Sequence, residues 1–545
     1  MASPRAERIK QVWRCLLLLA LVAVLYGRTL SFEFAYVDDS RLVIDRARFL
    51  SDLSNAPKLF REPYFVPAER RGEGYYRPLV SLTYMLDAQG GPLSPAAYHR
   101  TNVALHAAAC LLVFALFSLL LANRNAALAC AAVFAVHPAL TETVVWIPGR
   151  NDTIAVIFMI LAWIAHLAAP KSQSAARRLL LWAAYAVSFL FALLSKEAAI
   201  MLPLLVVGHH WLADRVRPTS RSLAILLAAS AAPIIIWATL RAQIGAEGST
   251  ESLFQRAGVA VAELPSLLLF LGKAVFPFDL APLAHQKDSS WLPALAALPV
   301  VSIAFYRVNA DVARRMAAGF AFFFLALAPT LPVSDTLILE NRLYLPMIGL
   351  LYAAAVRIQA LALSLRAVAL LAGPVVALFG ALAFRYSDGF RDRHAFAASA
   401  VHASPNLALA QMTHGNSLLV HGNIDAAETA YQATLRLDPN RTIAHNNLGV
   451  VHLRRNNVPA AEAEFRVELA RNPTYAPAHY NLGLALYRTG RGAEAVTAWL
   501  RAAELEPDHV DAVGELWAYF SRTGDTARAA EFRSRLERLG LKVVK

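Results

Sequence analysis

Long apolar runs alternate with short polar loops through the first 385 residues, and a different pattern takes over after about 404. Roughly 20 consecutive apolar residues cross a bilayer as a helix. The runs near 12–31, 101–122, 126–147, 153–169, 179–195, 198–213, 223–241, 292–306, 316–333, 345–357 and 367–385 predict about eleven crossings. The apolar piece 263–283 carries Lys273, Pro265 and Pro277 and is expected to be re-entrant or to lie along the outer surface. If it does not cross, the basic loops all fall on one side. These are the N-terminus, Arg124, Lys171 with Arg177 and Arg178, Asp214-Arg215-Val216-Arg217 with Arg221, Arg307 with Arg314 and Arg315, and Arg357 with Arg366. Basic loops stay cytoplasmic, so the C-terminus is expected outside.

The second pattern is a repeat. Pro405, Pro439, Pro473 and Pro507 share a period, as do Gly415, Gly449 and Gly483, and Ala427, Ala461, Ala495 and Ala529. The aromatics Tyr431, Phe465 and Trp499 keep the same step, and Asn-Leu-Gly recurs at 447–449 and 481–483. A period of about 34 residues with small residues at a helix crossing is the tetratricopeptide signature. Each unit is a helical hairpin whose apolar face is covered by its neighbour. The expected units are 407–440, 441–474, 475–508 and a degenerate 509–540, where Trp517 stands at the Gly position. The predicted organisation is all-α: a polytopic membrane bundle over 1–385, with a first extracytoplasmic loop at 31–100, a linker at 386–404, and an α-solenoid at 405–540.

Composition supports the membrane reading. A chain that is 57% hydrophobic and 17% charged is not an ordinary soluble protein. The formal charge of +13 does not signal nucleic-acid binding, because the arginines sit in loops that set topology. Cys15, Cys110 and Cys130 lie inside apolar runs and read as small buried hydrophobes without a disulfide or metal pattern. Arg5, Arg8, Lys10 and Arg14 precede the first run in the manner of a signal peptide, but without a clear cleavage site it reads as an uncleaved helix.

The expected topology gathers the polar interruptions on the outer face. Asp38 and Asp39 follow the first helix in Phe34-Ala-Tyr-Val-Asp-Asp-Ser40. Arg77, His137-Pro138, Glu142, Arg150-Asn151-Asp152, Lys196-Glu197 and Glu340-Asn341-Arg342 join them from separate segments. Convergent acids and bases at a membrane face mark a site. A carboxylate within reach of a hydroxyl takes its proton as a general base, and a guanidinium fork suits phosphate. Each residue also has a structural reading. His137 before Pro138 is a bend residue, Lys196-Glu197 an ion pair, Arg77 a head-group anchor, and Glu340 with Arg342 a structural pair.

Several of these motifs resemble the transmembrane and tetratricopeptide-repeat O-mannosyltransferases, within the C-type superfamily of polyprenyl-phosphate-dependent glycosyltransferases. They are Tyr36-Val37-Asp38-Asp39, Tyr76-Arg77-Pro78-Leu79, Asn102-Val-Ala-Leu-His106, and Phe134 through Glu142 continuing into Gly149-Arg150-Asn151-Asp152. Leu194-Ser195-Lys196-Glu197, Pro329 through Asp335 and Glu340 through Pro346 follow in order. The resemblance implies transfer of a sugar, mannose first, from a polyprenyl-phosphate donor to a protein Ser/Thr hydroxyl outside the membrane, with inversion. It implies Asp38 or Asp39 as the base, and Arg342, Lys196 or Arg150 as the donor-phosphate contact. Arg77, His106, His137, Glu142, Asp152, Glu197 and Glu340 would shape the sugar and acceptor pocket. A divalent cation is left open, because these ligand types lack a spacing signature. The implied partners are the lipid-linked donor, membrane lipid and a protein or peptide acceptor in the repeat groove. A membrane scaffold without enzymatic activity, or a transferase acting on envelope glycan or lipid, are the alternatives. The Ala- and Arg-rich usage favours a bacterial inner membrane with a periplasmic site over an endoplasmic reticulum with a lumenal one.

Overall fold

A computed structural model of the chain describes residues 4–35, 38–65, 75–213, 219–244, 253–331 and 337–541. Tyr36-Val37, the basic stretch 214–217, the segment containing Ser334 and Asp335, and Lys545 lie outside the described residues. The described residues are helical, without a strand beyond an isolated pairing of His285 with Leu337. They divide into two compact units, Met1–Ala403 and Ser404–Lys545.

In the first unit, seven helices among the described residues are long and apolar enough to cross a membrane: Arg5–Ser31, Pro95–Leu120, Ile147–Lys171, Ala175–Leu193, Ser220–Gln243, Ala310–Thr330 and Leu365–Phe390. The count reaches nine if two bent pairs each make one span. The protein is thus a multi-pass membrane protein, but helix length alone does not supply eleven crossings. Of the expected segments, 126–147 is broken at His137-Pro138 by a 57° bend, and those near 198–213, 292–306 and 345–357 are the shorter helices Glu197–Leu212, Leu292–Phe305 and Pro346–Ala360. The piece expected to be re-entrant, 263–283, contains the helix Ser266–Val275, which follows Gln255–Ala262 at a 44° bend. A helix crossing compensates one short element. A Cβ built on Gly319 would lie 2.5 Å from the Gly349 carbonyl, so Ala310–Thr330 and Pro346–Ala360 meet backbone to backbone. Small residues permit this approach in membranes.

The stretch expected as a polar loop after the first helix is a packed layer. Short helical turns at Ser40–Ile44, Ala47–Ser51 and Leu53–Phe60 lead into the helix Pro78–Ala88. Their apolar faces, including Val43, Leu59, Tyr64, Val80 and Tyr84, share one core with Tyr98 and Ile147. Two ties close this face. Arg28 pairs with Asp388 and lies 3.9 Å over the Phe384 ring, and the Glu33 N–H donates to the Arg391 carbonyl at 2.8 Å.

The second unit is four helical hairpins: Ala408–Val420 with Ile424–Leu437, Ala444–Arg454 with Val458–Arg471, Ala476–Arg488 with Gly492–Leu505, and Val510–Thr523 with Thr526–Arg538. The periodic glycines sit against the periodic aromatics. A Cβ on Gly449 would lie 2.4 Å from Phe465, and one on Gly483 2.3 Å from Trp499. In the last hairpin the aromatic position is Arg533. Trp517 packs against the apolar core of this hairpin, which includes Leu516, Phe520 and Phe532. Asparagines link successive first helices, Asn447 to Asn416 at 2.8 Å and Asn481 to Asn446 at 2.9 Å.

Candidate functional site

Asn102 and Arg150 build the frame. The Asn102 amide donates to the carbonyls of Val144 at 3.1 Å and Trp146 at 3.0 Å, holding the turn between the bent helix and Ile147–Lys171. Its own oxygen accepts from Arg150 Nε at 2.8 Å. Arg150 is fully buried and also donates to Thr83, to Asp87 at 2.5 Å, and to the Tyr98 carbonyl at 2.8 Å. Its guanidinium lies 4.7 Å from the Tyr84 ring centre. Four hydrogen bonds and two aromatic rings surround the Arg150 guanidinium, so the residue expected to contact the donor phosphate is enclosed by the protein in this structure.

Two histidines are also structural. His106 bonds Tyr344 at 2.7 Å and the Ala135 carbonyl at 3.1 Å, and its ring stacks on Phe134. His137 accepts from the Ala139 N–H at 3.2 Å, which caps the turn after the bend, and its other nitrogen meets the Ala274 carbonyl at 3.0 Å. Both ring nitrogens are used in each case, so neither His106 nor His137 presents a polar edge to a pocket. Of the two readings for His137, the bend residue is the observed one.

The remaining predicted residues form two neighbouring clusters. In the first, Arg77 donates to Glu197 at 2.9 and 3.2 Å, and its charge lies over the rings of Tyr75 and Tyr64 at 4.6 and 5.3 Å. The adjacent Lys196 reaches the other way, to Asp152 at 2.5 Å. Lys196 and Glu197 therefore do not pair with each other, since consecutive residues in extended backbone point to opposite sides. Arg77 and Glu197 act on the Lys196 charge, so the two ion pairs are adjacent.

In the second cluster Glu142 accepts from the Asn341 N–H at 3.2 Å and lies within electrostatic reach of Glu340, Asp152 and Arg342. Glu340 takes Lys273 at 2.8 Å, the Ala281 N–H at 3.3 Å and the Tyr386 hydroxyl at 3.5 Å. The expected pairing of Glu340 with Arg342 is thus replaced by a lysine from the bent segment. Lys273 also donates to the Asp279 carbonyl. Arg342 is half-buried and donates to the Leu337 carbonyl at 3.0 Å. Lys273 was legible only as a lone cation in an apolar run, which is itself a signal of a buried partner. Asp87, Thr83 and Tyr64 carried no such signal.

Asp39 is within electrostatic reach of Arg150 and Arg393. Its side chain is 1% exposed. One carboxyl oxygen accepts from the Ala35 N–H at 2.7 Å, and the other has no hydrogen-bond partner among the described residues. Burial pushes its pKa up to about 7, with the Ala35 N–H opposing and Asp38 adding to the rise. The neighbouring Ser40 hydroxyl accepts from Arg393 at 3.3 Å. Asp38 is half-buried and acts electrostatically on Tyr64, whose ring underlies Arg77. Among the described residues no three His, Cys, Asp or Glu side chains are grouped to hold a metal ion.

The first unit thus gathers acids and cations from six separate segments, and the second is an array of helical hairpins. Tetratricopeptide-repeat family models match residues 412–476 and 476–509. Protein O-mannosyl-transferase Tmtc1 of Drosophila melanogaster is 34% identical over 206 residues, covering 37% of this chain and 23% of that protein. Tmtc2 of the same organism is 29% identical over 323 residues, covering 57% and 33%. The human TMTC2 is 33% identical over 149 residues, covering 27% and 18%. The chain resembles the transmembrane and tetratricopeptide-repeat O-mannosyltransferases. It spans about a quarter to a third of the length of the two fly relatives. Among solved structures, MamA from Desulfovibrio magneticus RS-1 is 24% identical, covering 27% of this chain and 82% of that chain, with a TM-score of 0.24. The second unit is a tetratricopeptide array, a repeat type used in protein–protein interaction.

Proposed function

We propose that the chain is a membrane glycosyltransferase that moves mannose from a polyprenyl-phosphate donor to a Ser or Thr hydroxyl of a protein acceptor. The similarity to protein O-mannosyl-transferases supports mannose as the sugar and protein as the acceptor. The observation that carries the catalytic assignment is Asp39, a buried carboxylate with one oxygen fixed by a backbone N–H and the other unpartnered. A base works best when its pKa lies near the working pH, and burial places Asp39 there.

In the reaction the acceptor oxygen forms a bond to the anomeric carbon as the bond from that carbon to the phosphate oxygen breaks. Asp39 takes the hydroxyl proton, and the lipid phosphate leaves with the bonding pair. Attack opposite the leaving group inverts the anomeric centre. Fixed cations stabilise charge growing on the phosphate. Arg342, partly exposed and acting on Glu142, is the assigned contact, with Lys196, which pairs with Asp152, the second candidate. Asp38 flanks the base and raises its proton affinity. The active face is the extracytoplasmic one, and the repeat array recruits the acceptor.

The test is transfer by the purified full chain in lipid, using labelled polyprenyl-phosphate mannose and secreted proteins as acceptors. Label on protein that vanishes in Asp39→Asn supports the assignment. Label that survives in both Asp39→Asn and Asp38→Asn overturns the base. No label on protein from a panel of lipid-linked sugars overturns the transferase.

A further inference from the structure

The two clusters share an imbalance. Lys196 lies on Asp152, Arg77 on Glu197 and Lys273 on Glu340, so each of these cations is matched by a carboxylate. Three unpartnered buried oxygens lie on residues of, or next in the chain to, these clusters. Asp152 Oδ2, Asn341 Oδ1 and Thr143 Oγ1 have no hydrogen-bond partner among the described residues. Asp152 is 6% exposed and Asn341 7%. They belong to one neighbourhood, because the Asn341 N–H is bonded to Glu142, Thr143 follows Glu142 in the chain, and Glu142 and Asp152 act on each other electrostatically.

Native proteins pair nearly all buried polar atoms. Two of these three orphans can only accept, and a hydroxyl can do either. A ligand that completes them must bring donors. An anion brings none. A metal ion needs converging ligands, which no group of the described residues supplies, and Arg342 adds a positive charge to the neighbourhood. A neutral polyhydroxyl ring brings several donors at sugar spacing. We propose that Asn341 and Asp152 read hydroxyls of the transferred hexose, and that Asn341 determines which hexose is accepted. This rests on the transferase reading and assigns Asn341 a specificity role beside the reacting groups.

The experiment compares polyprenyl-phosphate mannose with its four monodeoxy analogues as donors, for the native chain, Asn341→Ala and Asn341→Asp. One deoxy position should lose about tenfold or more in kcat/KM with the native chain. Asn341→Ala should lose a similar factor with mannose and show no further loss with that analogue. Asn341→Asp keeps an acceptor and should keep the discrimination, which separates recognition from misfolding. A deoxy profile unchanged between the native chain and Asn341→Ala overturns the proposal and leaves a bound water as the partner of Asn341. Absence of transfer by the native chain would instead overturn the transferase reading itself.

Discussion

Lys273 donates to Glu340 at 2.8 Å, with side chains only 4% and 0% exposed. This pair fastens the bent segment Ser266–Val275 to the loop that carries Asn341 and Arg342. Breaking a buried pair from one side leaves an uncompensated charge and costs about 3–5 kcal/mol. Lys273→Met should therefore lower thermal stability strongly and abolish transfer. Lys273→Met combined with Glu340→Gln should recover much of the stability. Additive losses in the double variant, read by thermal unfolding in detergent, would show that the two residues are not coupled.

Asp39 gives a pH prediction. Below about 7 its carboxyl holds a proton and cannot act as a base. Transfer should therefore rise with pH to a plateau above that value. Stability runs the other way. The folded pKa is raised, so the group's stabilising contribution is full below the ordinary carboxylate value of about 4 and is lost as pH rises through 7. Asp39→Asn should be inactive, yet more stable than the native chain at pH 8 relative to pH 4. A melting-temperature difference that stays constant between those pH values would contradict the burial of this charge.

Arg150 should behave as a framework residue. It serves Asn102, Thr83, Asp87 and the Tyr98 carbonyl at once, which the compact ammonium of lysine cannot do. Arg150→Lys should lower the melting temperature and the folded yield. In the fraction that folds, KM for the lipid donor should be nearly unchanged. A stable variant with a large KM defect would restore Arg150 to the phosphate site.

Gly449 tests the array. The Phe465 ring occupies the space of its missing side chain. Gly449→Leu forces that ring out, and overpacking of this kind costs about 1–3 kcal/mol. Limited proteolysis of the full chain should cut faster between 441 and 474 in the variant. Equal cutting would mean that the hairpins can slide apart at no cost.

The sequence alone determined the features that depend on local spacing. Apolar runs announced membrane helices, and the shared step of Pro439, Gly449, Ala461 and Phe465 announced helical hairpins, because period and burial are linked within one segment. Asp39, Glu142 and Glu340 could be picked out as acids near membrane ends for the same reason. Tertiary structure decided their partners. Glu142 meets Asn341, Glu197 meets Arg77 and Glu340 meets Lys273 across 199, 120 and 67 residues. Sequence neighbours were poor guides here, since Lys196 and Glu197 turn to different carboxylate and guanidinium partners. The framework role of Arg150 and the capping role of His137 likewise emerged only from packing. A charge in an apolar setting reveals that it needs a partner, but which one it finds depends on how distant helices are brought together.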